Sequence, residues 1–394
     1  MSYKQNDTIY ISTNAHEDGV AYVKKQDLFN SMIDTLLISK YEQEYTYSQS
    51  EFGCNWSVTD TLQFNMSYSP GYYQIDFMSS VDTSSTYFII ENHSDSKIAV
   101  LAPVSTWVAY NEWGGKSLYT NKIEEENVYY VSSQRPFSDP INLAESNIAN
   151  FFIDNYDATL LPDYSLEYDL NKLASYDIII LAYHAEYFSE KMYDNLHELI
   201  QSKHKSLISL GANQVYWKTK WNDDYSIMEC RKDLTSFSSS FADYGGMWRH
   251  HFFKSEHNLL GVRYSRPGIH SFAPYEIKAP THWIFENLNV KNEQIFGFTG
   301  INNLPISGDE TDKIVSKINN MTLLAKGLNC VEKKGDYISI ESYCDENSGA
   351  DFVIIENELN NILSTGSIES GAGLGIDSVF TGMITNFIKR NSKK

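Results

Sequence analysis

Ile98–Pro103 (IAVLAP), Tyr176–Tyr183 (YDIIILAY) and Ser206–Asn213 (SLISLGAN) are three short, predominantly apolar runs. Between them lie Ile141–Asn155 (INLAESNIANFFIDN) and Ser189–Ser202 (SEKMYDNLHELIQS), whose apolar residues recur at helical spacing. In the second, Ser189 is a good N-cap, and Met192, Leu196, Leu199 and Ile200 share one stripe. Strands apolar on both faces, alternating with amphipathic helices, indicate a mostly parallel sheet with helices on both sides. The fold expected is therefore α/β, a three-layer domain over residues 96–394.

Upstream of Lys97 the pattern differs. IYIST, GVAYVKK, TDTLQFNM, YYQIDFM and STYFIIE read as short strands separated by turn chemistry at Pro70-Gly71 and Asp82–Ser85. Residues 1–95 are expected to form a small β-sandwich, interrupted by one helix at Asp27–Ile38. Two domains also suit 394 residues at roughly 150 per domain. Downstream, helices are expected at Thr311–Leu324 and from Ser378, a hairpin around Lys334–Asp336, and a strand at Asp351–Ile355 (DFVII).

Composition narrows the function. The net charge is −20, which argues against a broad nucleic-acid or anionic-membrane surface. No apolar run approaches the ~18 residues of a membrane span, and the first residues lack a signal-like apolar stretch. The four cysteines are scattered, with no CxxC pair. A soluble cytoplasmic protein is the expectation, and assembly as a homo-oligomer is compatible with it.

In open α/β sheets, ligands bind beyond the carboxyl ends of the strands. Three such ends carry unusual residues. After IAVLAP comes a loop dense in aromatics with a glycine pair, WVAYNEWGGKSLY (Trp107–Tyr119). After YDIIILAY, His184 and Glu186 are two residues apart and project to one side of an extended chain. An imidazole and a carboxylate leaving a buried strand together suggest metal ligation or acid/base work; a helix-capping Glu with an incidental His is the alternative. The third end has the strand–turn–helix form of a nucleophile elbow, with Asn213 where a nucleophile would stand. An amide can hydrogen-bond but not attack, and no cysteine occupies such a turn.

In chain order, WVAYNEWGGKSLY, QRPFSD (Gln134–Asp139), YDIIILAYHAEYFSEKM, GANQVYW, NLLGVRY (Asn258–Tyr264), THWIF (Thr281–Phe285), GDETD (Gly308–Asp312) and STGSIESGAGLG (Ser364–Gly375) resemble the catalytic region of the large (beta) subunit of N,N-dimethylformamidases. CNWSVTDTLQF and SPGYYQIDF resemble the immunoglobulin-like module that precedes it. HAEYF stands where HDEYW is more usual, and Phe137 where the family more often has Tyr. The resemblance implies a glutamine-amidotransferase-like fold and a mononuclear ferric iron (Fe3+) held by two tyrosinates and a glutamate, hydrolysing a formamide-type C–N bond. It assigns the ligands to Glu186, Tyr110 and Tyr73, with Tyr72 one residue out of register. His184, Asn213 and Glu310 match polar positions around the metal, Glu310 as acid/base.

Those assignments are chemically coherent. Hard anionic oxygens suit ferric iron better than zinc, and a strong Lewis acid is needed to hold a phenol of pKa ~10 deprotonated. The partner implied is a small-molecule amide. The alternative is a non-catalytic relative that binds a small ligand or glycan, since exposed aromatics also stack on sugars.

Overall fold

Alternation within the apolar runs decides the packing. In a computed structural model of the chain, which describes residues 1–4, 7–27, 29–63, 68–92, 94–137, 139–233, 245–251, 254–267, 269–329, 331–334, 340–343 and 348–392, Ile98–Ala102 and Ile178–Tyr183 are adjacent parallel strands. Ile98, Val100, Ile178 and Ile180 face the helices Leu143–Tyr156 and Ser378–Asn391. Ala99, Leu101, Ile179 and Leu181 face the opposite side, where Met192, Leu196, Leu199 and Ile200 of the helix Glu190–Gln201 cover them. Ser189 caps that helix, its hydroxyl accepting from Met192 N. Helices thus pack on both faces of the sheet.

The sheet has nine strands. Thr159–Pro162, Ile98–Ala102, Ile178–Tyr183, Ser206–Gly211 and Asn361–Ser364 run parallel in that order. Asp351–Glu356, Met321–Gly327, Tyr275–Ile277 and Ile295–Phe296 extend it antiparallel. The sheet is therefore mixed where a mostly parallel one was expected. The apolar strands before residue 212 are joined through helices, whereas Asp351–Glu356 and Asn361–Ser364 are joined by a short turn, which imposes antiparallel pairing.

Among the described residues, this sheet takes no strand from the first 91. Those build a five-stranded sheet in which Ser2–Lys4, Thr83–Glu91, Gly71–Met78, Gly19–Lys25 and Met32–Ile38 lie side by side, and a two-stranded ribbon of Thr8–Ile11 and Asp60–Gln63. The ribbon's Ile9, Ile11 and Leu62 pack on Ala21, Val23, Tyr73, Ile75, Phe88 and Ile90. The other face, through Tyr72, Tyr87 and Ile89, joins the core beneath the helix Leu143–Tyr156. The two sheets thus share packed side chains.

Three local expectations are corrected. Asp27–Ile38 is not a helix: Met32–Ile38 is an edge strand paired with Gly19–Lys25, because cross-strand pairing outweighs a helix-like spacing of apolar residues. Thr311–Leu324 is likewise divided into the strands Thr311–Lys313 and Met321–Gly327, with Asn320 in the left-handed region (φ 61°) just before the second. Third, no helix follows Ser206–Gly211; Asn213 and Val215 (φ 50° and 56°) turn the chain into another strand, Trp217–Trp221. The expected hairpin forms between Val331–Lys334 and Ile340–Tyr343, while its turn, Cys330 and Cys344 lie outside the described residues.

Gly211 ends its strand against the neighbouring one so closely that an added Cβ would sit 1.6 Å from the Tyr183 carbonyl oxygen. That contact is with backbone at the strand end from which His184 and Glu186 follow. Gly211→Ala should cost at least about 3 kcal/mol, the upper part of the overpacking range, measured by denaturant unfolding.

Candidate functional site

The strands Ile98–Ala102 and Ile178–Tyr183 lie where the strand order reverses, because the chain passes from the first to Thr159–Pro162 on one side before returning on the other. Their carboxyl ends are where such sheets hold ligands. From the first end, Pro103 leads into the helix Val104–Tyr110. Buried Asp163 anchors the start of that helix, accepting from Ser105 N (3.1 Å) and Ser105 Oγ (2.9 Å). Thr106 Oγ1 accepts the Glu186 N–H (3.0 Å), which locks the helix to the second strand end.

Tyr110 is the last helical residue. The chain then turns through Gly114 and Gly115, both at positive φ (81° and 83°), and returns so that Leu118 N donates to Ala109 O (2.9 Å). Tyr119 consequently stands beside Tyr110, with ring centroids 4.5 Å apart. The first sheet's loops brace this excursion: Tyr45 and Trp56 meet the Trp113 ring edge-on, and Glu51 pairs with Lys116 Nζ (2.9 Å).

At the second strand end, Glu186 is 2% exposed. Its carboxylate accepts from Tyr110 Oη (2.9 Å), Tyr119 Oη (2.9 and 3.0 Å to its two oxygens) and Asn213 Nδ2 (3.2 Å). His184 Nε2 lies 3.2 Å from Glu186 Oε2, so the two side chains do project together. On the other side of the ring, His184 Nδ1 lies 3.8 Å from Glu310 Oε2. Glu310 reaches the site from between the short strands Ser307–Asp309 and Thr311–Lys313. Two residues on, buried Asp312 accepts the Asn213 N–H (2.8 Å) and holds that turn.

Tyr110, His184, Glu186, Asn213 and Glu310 are thus brought together. Tyr73 is not. It lies in the strand Gly71–Met78 with its side chain toward the ribbon, stacked on Phe88 (5.5 Å) and donating its hydroxyl to Ser69 O (2.6 Å). Tyr72, pointing to the opposite face by strand alternation, packs against Trp107 (5.6 Å) within the shared core. The second phenol at Glu186 is Tyr119, which the sequence reading did not single out. Its signal was present in the glycine pair, which can fold the chain back nine residues after Tyr110, but 28 tyrosines obscured it.

Lys232 was also missed. Its Nζ sits 3.0 Å from the centroid of the Tyr119 ring, with Trp217 and Tyr187 at 5.0 and 5.2 Å. Burial lowers its pKa to about 8, against the raising effect of Glu186.

The electrostatics follow from this packing. Burial works to raise the Glu186 pKa, but hydrogen bonding and charge from His184, then Lys232 and Tyr110, outweigh it and hold the carboxyl below the usual range. Burial and the Glu186 charge push both phenols well above theirs. His184 is driven down by burial and up by Glu186 and Glu310, with a net rise to about 9. Burial raises Glu310, with Glu186 adding and His184 opposing.

A family model described as N,N-dimethylformamidase beta subunit-like, C-terminal, matches residues 25–382. The chain belongs to this family. The match covers the whole nine-stranded sheet, the later strands of the first sheet and every residue of the cluster. No curated protein matches the chain. Among the described residues, no group of three or more His, Cys, Asp and Glu side chains is placed to hold a metal, so a metal here would depend on phenol oxygens. No described helix is long and apolar enough to cross a membrane.

The His184–Glu186 pair carries a pH signature. Because the folded His184 pKa of about 9 exceeds an unfolded value near 6.5, its contribution is complete below about pH 6.5 and is lost as pH rises through 9. In metal-free protein, unfolding free energy should fall by on the order of 3 kcal/mol across that window. His184→Asn should flatten the profile, as read by urea titration at several pH values.

Proposed function

We propose that the chain is an amide hydrolase acting on a small formamide-type C–N bond, with a ferric ion held by Tyr110, Tyr119 and Glu186. The observation that carries this reading is the convergence of two phenol hydroxyls on one buried carboxylate, with a second carboxylate across His184. The Tyr110, Tyr119 and Glu186 oxygens lie 2.9–3.1 Å apart. That spacing suits one face of an octahedron of hard oxygen ligands at about 2.0–2.1 Å from a cation. Three further buried atoms nearby, Asn213 Oδ1, His184 Nδ1 and Glu310 Oε2, have no hydrogen-bond partner among the described residues. Such groups are costly in a purely structural core and at home beside a polar ligand.

When bound, the ion would polarise an amide carbonyl and supply an acidified water. The chain's own groups account for the rest. Tyr110 and Tyr119 must release their protons to serve as ligands, and Lys232 over the Tyr119 ring supplies positive charge beside them. Glu310, with its pKa raised by burial, can take a proton from the attacking water and hand it to the departing amine as the C–N bond breaks. His184, held between the two carboxylates, keeps Glu310 oriented. The Asn213 amide can hydrogen-bond the carbonyl oxygen as it gains charge. Hydrolysis in this sense consumes one water and yields a carboxylic acid and an amine.

Ferric-loaded protein should hydrolyse N-alkylated formamides, with the amine measured as product. Glu310→Gln should keep the fold and the metal while lowering turnover by about 10²–10⁴-fold. Glu186→Ala should lose both metal and activity. Undiminished turnover in Glu310→Gln would remove the acid/base assignment.

A further inference from the structure

The described residues of QRPFSD contribute no atom to the oxygen cluster, yet Arg135 among them is 6% exposed and makes an unusual set of bonds. Nε donates to Ser132 O (3.1 Å), Nη1 to Trp113 O and Lys116 O (2.8 Å each), and Nη2 to Asn111 O (2.8 Å) and Val108 O (3.4 Å). Every donor direction of the guanidinium is used, and every acceptor is a main-chain carbonyl. Among the described residues no carboxylate forms an ion pair with it. Burial lowers its pKa only to about 10, so the group is a cation at neutral pH. A buried charge without a counter-ion is expensive, and lysine could satisfy at most three of these carbonyls without the planar fork.

The acceptors show what the expense secures. Val108 and Asn111 carbonyls lie at the carboxyl end of the helix Val104–Tyr110, where a cation is favoured, and they flank Tyr110. Trp113 and Lys116 carbonyls hold the glycine turn that returns the chain to Tyr119. One side chain therefore fixes both ends of the excursion that carries the two phenols. We propose that Arg135 is the positioning residue that sets the Tyr110–Tyr119 pair against Glu186, an inference that rests on reading those phenols as the ligands.

The test uses the full chain with Arg135→Lys and Arg135→Ala, read in two ways. In chelated protein, hydrogen exchange should speed up in residues 108–119 while the strand Ile178–Tyr183 stays protected. In ferric-loaded protein, metal affinity should fall by about 10–100-fold. In Arg135→Ala, a low, non-denaturing concentration of guanidinium should restore both, and sodium chloride at equal ionic strength should restore neither. Should the alanine variant fail to fold, the lysine variant decides on the same readouts. Wild-type exchange and metal affinity in a folded variant would overturn the proposal, as would exchange that rises equally across the whole sheet. If the wild-type chain itself takes up no metal, the functional reading falls, and the exchange data alone decide whether Arg135 orders the loop.

Discussion

A carboxylate withdrawn from water has to be surrounded by donors, and the arrangement around Glu186 answers to that requirement. Its hydrogen-bonding neighbours come from three separate strand ends: Tyr110 and Tyr119 from the first, His184 from its own, and Asn213 from the third. Each must arrive within about 3 Å, so the register of three parallel strands, the helix between the first strand and Tyr110, and the turn at Asn213 are all constrained by one side chain. The tight contact of Gly211 with the Tyr183 carbonyl and the bond from Glu186 N to Thr106 Oγ1 show how closely the strand ends are drawn together.

The first sheet bears on the same cluster through its loops. That sheet supplies no atom to the carboxylate, but its loops press Tyr45 and Trp56 on Trp113 and pair Glu51 with Lys116, within the excursion that presents both phenols. Its inner face is continuous with the core beneath the helix Leu143–Tyr156. Tyr73, which the family resemblance suggested as a ligand, lies instead in that sheet's own core, so the contact seen between the first sheet and the cluster is packing on a loop.

Much of this was legible in the residues. Fully apolar strands announced the parallel half of the large sheet, and the two-residue spacing of His184 and Glu186 placed them side by side. What escaped was set by tertiary contacts. Met32–Ile38 has helix-like spacing but finds a strand partner; the antiparallel half of the sheet follows from turns rather than from any periodicity. Tyr72 and Tyr73 differ only in the face of a strand, and that face is fixed by which core each side chain joins. Tyr119 becomes meaningful only once a glycine turn folds it back on Tyr110, and Lys232 only once its ammonium is seen over the Tyr119 ring.

The proposed chemistry requires Tyr110, Tyr119 and Glu186 to act together as an anionic oxygen set. Its most direct test is metal analysis and the visible spectrum of ferric-loaded wild-type, Tyr119→Phe and Tyr73→Phe proteins. The wild-type and Tyr73→Phe chains should bind iron stoichiometrically and show a tyrosinate-to-iron absorption band, and Tyr119→Phe should lose or weaken both. A colourless, iron-free wild-type protein, or a Tyr119→Phe protein indistinguishable from it when loaded, would contradict the account.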